Sequence, residues 1–279
     1  DYRKVCSLLF QQGDAHFETA KVEGRNGNTV ITDRGELSAD LIVDGLGWRR
    51  ILAPGDNYQP PNAPLSRGLE VHPHASGPDL EVWLDRSYIR RGYGWSFPAD
   101  HEMRVGVGSF DPNDHVKEPT VRLANDVEVD PVNFQGNWIP HKIRPATEDG
   151  IFFAGDSAGH CLPLTAEGIR PALYFGLALG RELRAVIEGR QAREQALERY
   201  SAFSADHTWK YEWMLRSQRW IPRLAPRLSD AMVRSMRVKR LADFSFNHYL
   251  KIAPAEFVHG GGAPPRAALA ERQPVASAI

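Results

Sequence analysis

One short run of this chain gathers the residue types that can hold a polar ligand against main chain. Ile151-Phe152-Phe153-Ala154 is apolar and favours a strand, and it gives way at once to Gly155-Asp156-Ser157-Ala158-Gly159. Read as a buried strand ending at the carboxyl edge of a sheet, it delivers Asp156 to the place where open α/β sheets take their ligands. The glycines let a ligand approach the backbone closely. The carboxylate can accept hydrogen bonds from sugar-like hydroxyls. The run continues through Pro163-Leu164-Thr165-Ala166-Glu167-Gly168-Ile169 into a segment of helical spacing. A helix start there turns free N–H groups and the positive end of a dipole toward developing negative charge.

Two further patterns carry chemistry. In Tyr93-Gly94-Trp95-Ser96-Phe97-Pro98 the alternation puts three aromatic rings on one face of a strand. Such a ladder is a flat apolar wall suited to an isoprenoid chain or an aromatic ring; the alternative is a strand facing an ordinary core. The run Ala39 to Gly45 is apolar and β-branched and ends in Asp44-Gly45, which reads as a buried strand, parallel to its neighbour, whose carboxyl end meets a loop. Beyond it, Arg49 or Arg50 either reaches a pyrophosphate or is a solvated surface arginine. His72, His74, His101, His141 and His160 lack the spacing of a metal site, so no metal is expected. Cys161 reads as a buried structural thiol, with a reactive thiol as the alternative.

The elements that must position these residues follow from period and punctuation. Residues 3–13 have helical spacing and end on Gly13. A strand over Ala15–Glu23 and a return strand over Thr29–Thr32 flank the Asn26-Gly27 turn signal. Residues 51–67 are rich in Pro, Gly and Asn and read as a connector. Leu69–His72, Leu80–Leu84, Arg90–Phe97 and Met103–Ser109 read as short antiparallel strands, the last two joined by a turn at Pro98–His101. Val121–Val127 has a helical pattern and Trp138–Pro140 an extended one. A long helix runs from about Gly168 to Glu188, with Pro171 in its first turn where a missing N–H costs nothing. Residues 191–250 are helical throughout, and the Gly-, Pro- and Ala-rich end reads as a disordered tail.

Composition narrows the classes. A formal net charge of -1 sets up no global field to recruit nucleic acid. Two cysteines exclude a disulfide framework and fit a reducing, cytoplasmic compartment. No apolar run approaches the roughly 18 residues that span a bilayer. Residues 210–251 carry ten Lys or Arg against three acidic residues, interleaved with Trp213, Trp220 and Ile221. They form either a peripheral membrane contact or a solvated basic cap.

The Gly155 to Ile169 stretch resembles the Gly-Asp-Ala-Ala-Gly…Pro-x-x-Gly-x-Gly-Ile signature of FAD-dependent reductases and hydroxylases. Gly159, where hydroxylases commonly carry His, and the Tyr93–Pro98 stretch are similar to the geranylgeranyl reductase branch. The resemblance implies that Gly155, Asp156, Ala158, Gly159, Pro163, Thr165, Gly168 and Ile169 bind FAD, with Asp156 on the ribityl chain and Pro163 to Ile169 along the isoalloxazine ring. A reduced flavin carries negative charge around N1 and the C2 carbonyl, which suits the helix start. Asp44 and Gly45 resemble the family's Asp-Gly-x-x-Ser cofactor motif, with Trp48 in place of Ser. Tyr93, Trp95, Phe97 and Pro98 would line a prenyl pocket beside the flavin; halogenases carry a related Trp-x-Trp-x-Ile-Pro. Ala166 stands where the family has the first Gly of Gly-x-Gly.

The expected fold is α/β: a discontinuous Rossmann-like FAD domain (1–50 and 150–190), an inserted antiparallel substrate sheet (51–149), C-terminal helices (191–257) and a tail (258–279). The expected activity is reduction of C=C bonds in a prenyl substrate by hydride from reduced FAD, with NAD(P)H or another donor supplying electrons. Tyr93 is the candidate proton donor. A hydroxylase or halogenase is the alternative chemistry, and a non-catalytic apolar-ligand-binding remnant the alternative class. The family opens with a strand and a Gly-x-Gly-x-x-Gly turn over the pyrophosphate, which this sequence lacks; Gly106-Val107-Gly108 lies in a β run with Asp111 in place of the third glycine. The chain is therefore expected to be a fragment holding the flavin-ring half of the site, and to bind FAD weakly. Titration of the purified 279-residue chain with FAD, followed by flavin fluorescence, checks this: tight stoichiometric binding contradicts it.

Overall fold

The computed structural model describes residues 2–54 and 65–259. Most of the expected connector and nearly all of the expected tail lie outside the described residues. The first half of the chain forms α1 (Tyr2–Phe10), β1 (Val22–Asn26), β2 (Thr29–Thr32), β3 (Gly35–Ser38), β4 (Val43–Asp44), β5 (Leu65–Val71), β6 (Glu81–Trp83), β7 (Gly92–Ala99), β8 (Glu102–Ser109), α2 (Lys117–Asp126) and β9 (Gln135–Pro140). The second half forms β10 (Thr147–Glu148), β11 (Ile151–Phe153), α3 (Ile169–Ile187), α4 (Arg193–Ala205), α5 (Thr208–Trp220), α6 (Pro226–Ser235) and α7 (Lys239–Leu250), with a 3₁₀ turn at Gly155–Ala158.

The chain divides into two compact units, residues 1–38 with 65–138 and residues 39–64 with 139–279. The cuts differ from those expected, because residues 1–38 group with the antiparallel sheet rather than with the strand at 43–44. In the first unit, β1, β2 and β3 make a small antiparallel sheet. The expected strand over 15–23 forms only from Val22, and β3 was not expected at all. The larger sheet has the order β6-β7-β8-β5-β9. The β7–β8 hairpin turns at Asp100, and β5 runs antiparallel to β8. One face packs Val71, Met103, Val105 and Val107 against Leu123 and Ala124 of α2, so burial on that face follows the two-residue strand period.

In the second unit the sheet order is β10-β11-β4, with β11 antiparallel to β10 and parallel to β4 as the Ala39–Gly45 run predicted. The regular strand is shorter than expected, only Val43–Asp44. Ile151, Phe152 and Phe153 are wholly buried. The buried stripe of α3, Tyr174, Phe175, Ala178 and Leu179 among others, recurs at the helical spacing that faces a core. Phe175 and Tyr174 pack with Phe203 of α4 and with Tyr211 and Met214 of α5. Hydroxyls anchor these helices: Tyr200 donates to the Phe153 carbonyl at 2.9 Å and Tyr211 to the His160 carbonyl at 2.6 Å.

Three histidines are sealed into this unit. His160 stacks on Phe175 with ring centroids 3.7 Å apart, and its Nε2 lies 3.0 Å from Ser204 Oγ. His207 Nδ1 bonds the Phe203 carbonyl at 2.9 Å. Burial pushes His160 down to about 3, and His141 and His207 to about 4. Each folded value lies below the ordinary 6.5, so the unfolded chain binds the extra protons. The stability is complete above pH 6.5 and is lost as pH falls toward 4. Three such groups give a slope approaching about 4 kcal/mol per pH unit near pH 5. Urea midpoints measured between pH 7.5 and pH 5 should fall steeply, and His160→Phe should flatten the decline.

Candidate ligand loop and aromatic wall

The carboxyl ends of β4 and β11 are tied by one buried carboxylate. Asp44 is wholly buried. Its Oδ1 accepts from the Leu46 N–H at 2.9 Å and the Ser157 hydroxyl at 2.7 Å, and its Oδ2 from the Leu52 N–H at 2.9 Å. Ser157 Oγ in turn accepts from the Gly47 N–H at 3.0 Å. The Asp44 side chain therefore fixes two loops rather than reaching outward, while Gly45 next to it is exposed.

Arg50 fits neither of the roles expected for it. It is buried, stacks 3.6 Å over the Phe153 ring, and donates to the Pro145 carbonyl at 2.8 Å, the Ser157 carbonyl at 3.2 Å and Glu148 at 2.7 Å. A planar guanidinium with five donors suits this joint, and no spacing in the sequence signals it. Arg49 is the exposed member of the pair, 5.3 Å over Trp48. Arg144 donates to the Trp48 carbonyl at 2.8 Å, and burial together with Arg50 pushes it down to about 10.

Asp156 is half-buried. Among the described residues no hydrogen bond reaches its carboxylate, and burial raises its pKa against the opposing charge of Arg144. A side-chain carbon placed on Gly168 would stand 4.0 Å from Asp156 Oδ1, so the carboxylate lies at the start of α3. No side chain caps that helix. Among the described residues, the N–H groups of Ala166, Gly168 and Ile169 have no hydrogen-bond acceptor. An open acceptor thus sits beside open donors, and the site can take a ligand with hydroxyls at one end and electron-rich atoms at the other.

The loop between is held under strain. Gly159 has φ of 67°, and a Cβ there would stand 2.0 Å from the Lys142 carbonyl oxygen, so only glycine fits. Leu164 and Ala166 also occupy the left-handed region, with φ of 70° and 52°. Side chains from distant helices brace them. The Leu164 N–H donates to Gln218 Oε1 at 2.7 Å, and Thr165 Oγ1 lies 2.9 Å from the Tyr249 hydroxyl. Glu167 takes a two-pronged hydrogen bond from Arg170, 2.7 Å at each oxygen, and another from Tyr249. Burial raises the Glu167 pKa, but those bonds outweigh it and hold the carboxyl below its usual range. Pro163, Ala158 and Cys161 are buried, burial pushing the Cys161 thiol well up, while Thr165 and Ile169 are exposed.

In the first unit Tyr93, Trp95 and Phe97 share one sheet face, as the alternation predicted, with the Tyr93 and Trp95 ring centroids 5.9 Å apart. The indole of Trp95 lies across Gly106 and Gly108 of β8, where added Cβ atoms would stand 2.4 Å and 3.3 Å from its ring. Trp95 Nε1–H donates to Glu70 at 3.2 Å. Glu70 also bonds His72 at 2.9 Å, and Arg104 bonds Glu102 at 3.2 Å. This half-buried polar group on the aromatic face was not expected, since it depends on the register of three strands.

Solved structures share this fold. A geranylgeranyl bacteriochlorophyll reductase-like protein from Thermoplasma acidophilum matches with a TM-score of 0.63 at 18% identity, covering 78% of this chain and 59% of that one. The flavin-dependent halogenase BrvH from Brevundimonas matches with a TM-score of 0.58 at 16% identity, covering 81% and 48%. In sequence, the digeranylgeranylglycerophospholipid reductase of Methanococcus vannielii is 29% identical over 133 residues, 43% of this chain and 33% of that protein. Its counterpart in Methanospirillum hungatei is 26% identical over 203 residues, 67% and 48%. No family model matches. The chain is thus a mixed α/β protein distantly homologous to these reductases, and it spans about a third to a half of the length of the curated relatives it matches.

Ala166 offers a test of the loop. An L-residue in the left-handed region costs about 1–2 kcal/mol, and glycine there gives back part of the gain through backbone entropy. Ala166→Gly should stabilise the fold by about 1 kcal/mol, raising the thermal midpoint by about 2–4 °C. Calorimetry decides; a lowered midpoint would mean that the Ala166 methyl contributes more by packing than its backbone loses.

Proposed function

We propose that the chain carries the flavin-ring side of an FAD-dependent oxidoreductase that reduces C=C bonds of a prenyl lipid. The observation that supports this best is the open Asp156 carboxylate beside the uncapped start of α3, at the position of the Gly-Asp signature. The residues present fit the cofactor. Asp156 would accept from the ribityl hydroxyls, and the N–H groups from Ala166 to Ile169 would serve the electron-rich edge of the ring. Bound there and reduced by NAD(P)H or another two-electron donor, the flavin would supply the hydride. The second unit is then part of a discontinuous Rossmann-like domain.

The aromatic face of Tyr93, Trp95 and Phe97 has the character to receive a prenyl chain. Tyr93, Trp95 and Phe97 exclude water from it, as reduction of an unactivated alkene requires. Such an alkene also needs a proton, and this face carries two kinds of group able to hold one: the Tyr93 hydroxyl and the His72 imidazole beside Glu70. The relatives named as reductases of digeranylgeranylglycerophospholipids support a lipid substrate. Oxygen or halide chemistry is the second reading, favoured by the fold likeness to BrvH; turnover that needs a halide or consumes oxygen without reducing substrate would select it.

Changing Asp156 to Ala in the holoprotein removes a charge-assisted acceptor worth about 1.5–3 kcal/mol. FAD affinity should fall by about one to two decades while the apoprotein keeps its thermal midpoint. Unchanged FAD affinity with a less stable apoprotein would make Asp156 a structural residue and remove the basis of the flavin assignment.

A further inference from the structure

Helix α5 is apolar on both sides. Its inner face buries Tyr211, Met214, Leu215 and Gln218. Trp209, Trp213 and Trp220 are nevertheless 62%, 64% and 59% exposed. At about 100° per residue they fall within about 40° of one another, on the side opposite the buried stripe. Arg216 lies in the same outward stripe. A water-facing helix surface would carry charged residues there, not three indoles. Tryptophan on an outer face beside arginine is the composition of helices that lie in a membrane interface.

At the end of this helix Arg216, Ser217, Arg219, Trp220 and Arg223 line a shallow, open depression of about 440 Å³. Arg216 has only a long 3.8 Å contact with Glu212. Among the described residues, Arg219 and Arg223 have no acidic partner. Three arginines gathered at one depression supply the planar, multi-donor groups by which arginine recognises phosphate. The surrounding segment has the same sign, ten Lys or Arg against three acids over residues 210–251. Exposed Leu228, Phe244 and Phe246 add apolar surface on α6 and α7. No helix among the described residues is long and apolar enough to cross a membrane, so such a contact is made from the surface.

We propose that Arg216, Arg219 and Arg223 form a site for the phosphate headgroup of an anionic membrane lipid, with Trp209, Trp213 and Trp220 seated in the bilayer interface around it. This does not rest on the flavin reading, and its test uses binding rather than activity. The purified chain is sedimented with vesicles of phosphatidylcholine alone or mixed with phosphatidylglycerol, while tryptophan emission is followed. The chain should sediment with the anionic vesicles, shift its emission to the blue, and be released by salt. The double variant Arg219→Gln/Arg223→Gln should bind them about twenty-five-fold more weakly, about fivefold for each charge lost near the surface. Trp213→Ala/Trp220→Ala should weaken binding and reduce the blue shift. All four side chains are exposed, and an unchanged thermal midpoint confirms that each variant folds.

Equal binding by wild type and the arginine variant, or equal binding to both vesicle types, overturns the headgroup site. Release by millimolar inorganic phosphate at matched ionic strength, where chloride leaves the chain bound, would make this a site for free phosphate and overturns it as a lipid site. So does an absence of vesicle binding, including the case where sedimentation velocity shows self-association that the tryptophan variant abolishes and a second copy covers the face.

Discussion

The second unit depends on a negative charge that water does not reach. Asp44 ends one strand, Ser157 follows another, and the carboxylate of the first takes the hydroxyl of the second together with two backbone N–H groups. A buried carboxylate is tolerable only when its oxygens are engaged in this way. Arg50 completes the joint by reaching from the loop after Asp44 to the Ser157 and Pro145 carbonyls. Two stretches of chain about a hundred residues apart thereby share one rigid junction. The position of Asp156, one residue before Ser157, follows from it.

With the junction fixed, the loop beyond Gly159 has little freedom. It must cross to the start of α3 through two non-glycine residues in the left-handed region. Local propensity does not favour that path. It persists because Gln218 of α5 and Tyr249 of α7 bond the loop directly, and Arg170 clasps Glu167 while reaching the Ala253 carbonyl at 2.8 Å. The C-terminal helices are therefore part of the scaffold of the loop, although they stand far from it in sequence. Strain held in place by surrounding packing is common where a backbone must present its N–H groups to a ligand.

Legibility in the sequence tracked the range of the interaction. The strand–loop–helix from Ile151 to Ile187 could be read because apolar period, glycine and proline are local signals. The Tyr93–Phe97 face could be read for the same reason, since alternation alone decides it. The inward turn of Asp44 could not, because Asp-Gly at a strand end looks the same whether the carboxylate bonds a ligand or Ser157. In the sequence Arg50 reads as either a pyrophosphate contact or a surface group, and only the three-dimensional position of Phe153 makes it a buried one. The pairing of Glu70 with His72 and Trp95 needs strand register, and the braces from Gln218 and Tyr249 need the packing of whole helices.

The bed of Trp95 has a consequence for how this surface can change. The indole rests on two residues that have no side chains, so its height above the sheet is set by its neighbour strand rather than by itself. A methyl group at position 108 would press on the ring without altering any aromatic residue, whereas one at 106 would also meet the Leu69 carbonyl oxygen at 2.6 Å and shift the strand. The contour of the wall is thus governed from beneath, and a lineage or a designer seeking a different chain shape could adjust the floor while leaving the visible face untouched.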